Sequence, residues 1–136
     1  SLLFSAQFSQ NKRQELTGMA LVRARFCELV DQNVSASDSE SSGFLTGLLS
    51  LLDAMVDGDI KELMDKLPLS LEMKQAIVNR VGKFADILKL CELFENAEWD
   101  KIDPHCQTVC VDSTQAAALF QQSMNWSSAR IKALHP

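Results

Sequence analysis

Tyrosine is absent from these 136 residues; histidine occurs twice, proline three times and glycine five times. Each scarcity closes off a class of protein. Collagen-like and Pro/Gly-rich low-complexity chains need far more of both residues. With proline only at positions 68, 104 and 136, little interrupts helix formation. No stretch alternates apolar and polar residues long enough to read as a strand. Long hydrophobic runs are missing too: Ser41 to Leu52 is apolar over only 12 residues, and a membrane span needs about 20. The longer uncharged run, Ser113 to Ala129, is rich in Gln, Ser and Asn. No basic start leads into an apolar stretch and a small-residue cleavage site, so a cytoplasmic location is expected.

Positive charge is also short. There are 13 Lys+Arg against 18 Asp+Glu, a net charge of -5. Residues 38–68 alone hold seven acids and two bases, a balance of -5, while 1–37 and 105–136 each sum to +1. No basic stripe can neutralise phosphates, which argues against a nucleic-acid partner. Binding to an anionic membrane surface is disfavoured for the same reason.

What remains is an ordinary globular composition, 46% hydrophobic and 23% charged. Size scaling gives roughly 7,100 Å² exposed when folded against roughly 21,900 Å² unfolded, so about two-thirds of the surface can be buried. One domain over residues 1–136 is expected. Its class is all-α, a compact bundle of about six to eight helices.

The opening Leu2, Leu3 and Ala6 read as the tail of a helix. Leu16, Met19, Ala20, Phe26, Cys27 and Val30 then recur at helical spacing between Lys12 and Gln32. A Ser-rich loop over 35–42 leads to a capping box at Ser37 and Glu40. The helix after it, to about Val56, is apolar almost all round, through Phe44, Leu45, Leu48, Leu49, Leu51, Leu52 and Met55. Such a helix is expected at the buried centre. Asp57-Gly58-Asp59 breaks it, and Asp59 with Glu62 opens a short helix that Pro68 stops. Ser70 caps a helix to about Arg80, and Gly82 is a joint. The helix from Lys83 to Asn96 carries the stripe Phe84, Ile87, Leu88, Cys91 and Phe94 or Glu95. Trp99, Ile102, Cys106, Val109 and Cys110 mark another, with Pro104 tolerable only in its first turns. Asp112 or Ser113 caps the last helix, which carries Ala116, Leu119, Phe120, Met124 and Trp126.

Catalytic chemistry does not emerge from these residues. Cysteines 27, 91, 106 and 110 sit on or beside apolar stripes and read as reduced, buried small hydrophobes. His105, Cys106 and Cys110 supply three ligands at most, and no second cluster completes a tetrahedral metal site. A nucleophile–histidine pair would depend on His105, which has no assignable orienting acid; His135 is one residue from the end. Gly43 and Gly47 are not a phosphate loop, because no Lys-Ser/Thr follows. No catalytic residue, cofactor or metal is assigned, and the chain is read as not an enzyme.

Two charged residues fall in apolar surroundings. Arg23 shares a helix face with Leu16, Met19, Cys27 and Val30, and Asp53 is embedded in Leu51-Leu52-Asp53-Ala54-Met55. Either Arg23 snorkels to the rim while Asp53 faces water, or the two form a buried pair joining the central helices.

The segments Ala20-Leu21-Val22-Arg23-Ala24-Arg25-Phe26-Cys27-Glu28, Gly47-Leu48-Leu49-Ser50-Leu51-Leu52-Asp53-Ala54-Met55 and Leu67-Pro68-Leu69-Ser70 come in that order. With the late Trp99 and Asn125-Trp126, they resemble the HDOD domain (HD-related output domain) found at the C-terminus of bacterial EAL–HDOD signalling proteins. The resemblance covers nearly the whole chain and implies a C-terminal portion of a longer protein. HD-superfamily phosphohydrolases hold metal through histidines and a His-Asp doublet after a Gly-Leu-Leu-like stretch. Here Ser50 and Leu51 stand where that doublet would be, and Leu51 cannot ligate a cation. Arg23 falls where an earlier metal-binding histidine would sit. The resemblance therefore implies a non-catalytic signalling module from a cyclic-di-GMP-associated regulator. Its partner would be another protein, a neighbouring EAL-type domain or a second copy in a homodimer, with Arg23, Asp53, Trp99 and Trp126 as interaction candidates. A metal-dependent HD-type phosphohydrolase and a purely structural bundle are the alternatives.

Overall fold

A computed structural model describes residues 2–35, 42–52 and 60–134, with side chains from Gln10 onward. The regular structure among them is entirely helical. Helix α1 runs Leu2–Val34, α2 Ser42–Leu49, α3 Ile60–Asp65 and α4 Leu71–Lys74, which continues as a π-helical stretch, Gln75–Asn79. Helices α5 (Lys83–Glu95), α6 (Trp99–Val109) and α7 (Ser113–Leu134) complete the bundle. The all-α expectation holds.

Local chemistry explains most of the boundaries. Ser70 caps α4 by accepting a hydrogen bond from the Met73 amide. Asp112 caps α7, its carboxylate accepting from the amides of Thr114 and Gln115 at 3.1 and 3.2 Å; a capping oxygen there satisfies amides the first turn leaves free. Gly82 supplies the joint before α5 with φ +99, a conformation that side-chain-bearing residues rarely adopt. Pro104 lies in the second turn of α6. Two boundaries differ from expectation. The first helix is continuous from Leu2, because residues 7–11 contain neither Gly nor Pro to break it. The helix after Ser70 changes pitch at Gln75, and Arg80 ends it in the left-handed region at φ 55.

The centre of the core is α5, which buries Phe84, Ala85, Ile87, Leu88, Leu90, Cys91, Leu93 and Phe94. Around it pack Phe26, Cys27 and Val30 of α1, Ile102, Cys106 and Val109 of α6, and Ala116 and Leu119 of α7. Phe94 stacks on Phe120 at 5.1 Å, and Phe26 meets both edge-on at 6.0 and 5.8 Å. Such pairs add roughly 0.5–1.5 kcal/mol each beyond burial.

This corrects the placement of α2 as the buried centre. Its large side chains Phe44, Leu45, Leu48 and Leu49 are only half-buried. The fully buried face is Gly43, Thr46 and Gly47, pressed against α1. A Cβ at Gly43 would lie 2.9 Å from the Cys27 carbonyl oxygen, and one at Gly47 would overlap the Arg23 carbonyl. The two glycines are therefore the surface by which one backbone rests on another. The Ser37–Glu40 box, Asp53, Met55, the Asp57–Asp59 break with its Asp59–Glu62 box, and His135 lie outside the described residues, as do the side chains of Leu2, Leu3 and Ala6.

Gly47→Ala tests that contact. Alanine gains about 1 kcal/mol in helix propensity over glycine, but the new methyl meets backbone that cannot rotate away. Net destabilisation of about 2–4 kcal/mol in urea unfolding is expected; a neutral or stabilising result would show that the helices do not cross this closely.

Candidate functional site

The close crossing of α1 and α2 delivers the turn after α2 onto Arg23. Arg23 is 6% exposed, so it does not snorkel to water. Its Nε and Nη2 donate to Oε2 and Oε1 of Glu95 at 3.1 and 2.9 Å, a two-pronged pair across 72 residues. Nη1 donates to Ser50 Oγ at 3.2 Å, and that hydroxyl donates onward to the Gly47 carbonyl at 2.7 Å. Glu92 stands 4.0 Å from Nη2 and accepts from Arg80 at 2.8 Å. Two acids and two guanidiniums thus balance within one chain of contacts. Burial works against the charge on Arg23, but the hydrogen bonds and charge of Glu95, aided by Glu92, outweigh it and hold its pKa above the ordinary value. Asp53, the carboxylate suggested by its apolar surroundings, lies outside the described residues; among the described residues the partner of Arg23 is Glu95.

Beside the pair lie two thiols. Cys91 Sγ approaches Glu95 Oε2 at 3.8 Å, and Cys27 and Cys91 are both fully buried. Burial, reinforced by the Glu95 charge, pushes both thiols well above their ordinary pKa. They are held neutral and are poor nucleophiles.

The donor set does not suit a metal ion. Among the described residues, the carboxylates beside Arg23 and Ser50 already face guanidiniums, and Leu51 is buried and apolar. Among the described residues no group of three or more His, Cys, Asp or Glu could hold one. His105 Nε2 instead contacts the Asp86 carbonyl at 2.7 Å. Cys106 is buried, whereas Cys110 is exposed and free. The expectation of a buried Cys110 fails: this residue closes α6 in the left-handed conformation, φ 70, with its own side chain in water and Val111 after it in the core.

The two tryptophans are not brought together. Trp126 is half-buried, edge-on to Phe44 at 6.1 Å, with the Arg25 and Arg130 guanidiniums 5.6 and 4.9 Å from its ring centre. Trp99 is 65% exposed and touches Phe94 at 6.4 Å. It stands at the edge of an apolar groove of about 820 Å³ floored by Met19, Val22, Phe94, Phe120, Met124 and Ile131. Glu95 also lines this groove. The residue that sequence reasoning underrated is Glu95; its signal was a carboxylate continuing the apolar stripe one turn past Cys91.

Removing one member of the pair leaves the other buried without a partner. Glu95→Leu is expected to cost about 2–4 kcal/mol in denaturant unfolding, and Arg23→Met in that background to recover more than half of the loss. Additive effects of the two substitutions would dismiss the coupling. The thiols set a pH dependence. Their folded-state pKa is raised, so their contribution is complete below the unfolded value, near 9.0, and declines as pH rises above it. Between pH 8 and 10 stability should fall by about 2–3 kcal/mol, and Cys27→Ala/Cys91→Ala should remove most of that slope. An unchanged slope in the double variant would contradict this assignment.

No family model matches the chain, and no solved structure does. It is similar to the cyclic di-GMP phosphodiesterase CdgJ of Vibrio cholerae serotype O1, 32% identical over 127 residues, covering 93% of this chain and 29% of that protein. It is also similar to the uncharacterized protein YuxH of Bacillus subtilis, 27% identical over 116 residues, 85% of this chain and 28% of that one. The chain therefore spans less than a third of the length of either relative.

Proposed function

We propose that the chain is an HDOD-like, non-catalytic interaction module of a cyclic-di-GMP-associated bacterial regulator. The observation that carries this reading is the position of the Arg23 guanidinium, within hydrogen-bond distance of both Ser50 and Glu95. Positions 23 and 50 are two of the three, with Leu51, that the HD resemblance places at a metal site. Here they meet through a 3.2 Å hydrogen bond between a fixed cation and a hydroxyl. A divalent ion would have to displace a paired guanidinium and leave it buried, at a cost of several kcal/mol. Phosphohydrolase chemistry needs the reverse arrangement, an open metal with a bound water.

The similarity to CdgJ supports the cyclic-di-GMP context. The phosphodiesterase activity for which that relative is named is then assigned to the more than two-thirds of it that this chain does not match. The module's task is contact, with a neighbouring EAL-type domain or another protein. Among the described residues no helix is long and apolar enough to cross a membrane.

Metal analysis of the purified chain, combined with a cyclic di-GMP hydrolysis assay in Mg²⁺ and Mn²⁺, tests this. The expected result is neither stoichiometric metal nor turnover. One bound divalent ion per chain together with hydrolysis would replace the proposal with the phosphohydrolase reading.

A further inference from the structure

The groove beside Trp99 has a polarity that identifies an occupant. It follows the seam between α1 and α7, which run antiparallel: Phe26 meets Phe120, the Gly18 carbonyl accepts from Ser127, and Thr17 lies by Ile131. At Ile131 the groove continues into a smaller hollow lined by Gln10, Arg13 and Leu134. From Phe120 to Leu134 the seam is about 21 Å long. Trp99 and Leu134, each 65% exposed, stand at its opposite ends. Large apolar side chains placed in water at both ends of an apolar furrow mark an interaction surface.

The charges are also divided between the ends. Arg13 and Lys132 sit at the Leu134 end, and neither meets a carboxylate among the described residues. At the Trp99 end stand Glu95, already paired with Arg23, and, between the lining residues Ala97 and Trp99, the half-buried Glu98. Among the described residues Glu98 pairs with exposed Lys101 at 2.9 Å, and such surface pairs are worth little and exchange easily. A face that is acidic at one end, basic at the other and apolar between is complementary to itself when rotated by half a turn about its middle.

We propose that this groove is the contact face of a two-fold symmetric dimer, its occupant a second copy of the chain. The proposal rests on the interaction-module reading and names its partner. Trp99 of each copy lies over the Leu134 end of the other, with Glu98 facing the other copy's Arg13 and Lys132. An unrelated acidic helix would satisfy only the basic end, whereas a second copy satisfies both. A strip two helices wide and about 20 Å long covers roughly 400 Å² per copy. That is about half of a standard interface, so the dimer is weak and reversible.

Sedimentation equilibrium of the chain from about 5 to 500 µM tests it, a range that brackets weak association. The weight-average mass is expected to rise from 15.1 kDa toward twice that value. Glu98→Lys, at a half-buried surface position, and Lys132→Glu, at an exposed one, should each weaken association at least about fivefold, because symmetry repeats every changed contact. The double variant should associate at least about fivefold more tightly than Glu98→Lys alone, because positions 98 and 132 attract again while Arg13 is unchanged. A mass of 15.1 kDa at every concentration would overturn the proposal and assign the groove to a different occupant. Association unaffected by either swap, or a double variant that fails to recover, would overturn it by placing the contact on another face. The metal and hydrolysis assay reads neither quantity, so the two proposals fail separately.

Discussion

A guanidinium held away from water is the constraint to which the rest of this structure answers. Burying an unpaired charge costs several kcal/mol, an appreciable part of the 5–15 kcal/mol by which domains are stable. Arg23 escapes that cost only because three elements converge on it: its own helix α1, the turn after α2 that presents Ser50, and the end of α5 that presents Glu95. Shift any of them by one residue and the hydrogen bonds are lost. A buried ion pair seldom adds much net stability over a hydrophobic replacement. Its effect here is selective: other packings of these helices leave the cation alone, and this one does not.

That selection depends on glycine as much as on charge. Gly43 and Gly47 let α2 rest directly on the α1 backbone at Cys27 and Arg23. The approach is close enough for the short Ser50 side chain to reach the guanidinium. Larger residues at 43 and 47 would push α2 outward, and a serine hydroxyl could not span the gap. The apolar character of α2 and its small-residue face thus serve different ends. The first half-buries an outer surface; the second sets the distance that makes the polar site work.

What could be read from the sequence divides along the same line. Features decided within a few residues were legible: the caps at Ser70 and Asp112, the Gly82 joint and the apolar stripe of α5. Arg23 was recognisable as an anomaly, since its place on an apolar helix face needs no knowledge of the partner. The partner was not recognisable, because Glu95 lies 72 residues away and periodicity carries no information about which stripes meet. Asp53 was the more conspicuous carboxylate for being surrounded by Leu, Ala and Met. Glu95 stood only as the alternative to Phe94 at the end of its helix's stripe. The place of α2 was misjudged for a related reason: average hydrophobicity says how much a helix can bury, but the smallest residues decide which face approaches a neighbour most closely.

Glu95 also connects the interior to the surface. One side of its carboxylate is committed to Arg23, yet the residue lines the groove next to Trp99, and its side chain remains 14% exposed. Water reaching the carboxylate weakens the attraction to Arg23; a protein surface laid over the groove removes that water and strengthens it. Occupancy of the groove and the register of α1, α2 and α5 are therefore energetically linked, and linkage runs in both directions. A rearrangement that loosens Glu95 from Arg23 releases a charged carboxylate at the acidic end of the groove and so changes what that surface can hold. No metal or bound nucleotide is needed for such coupling. The proposed interaction module requires an internal arrangement that alters what its surface can hold, and a single carboxylate shared between core and groove would provide it.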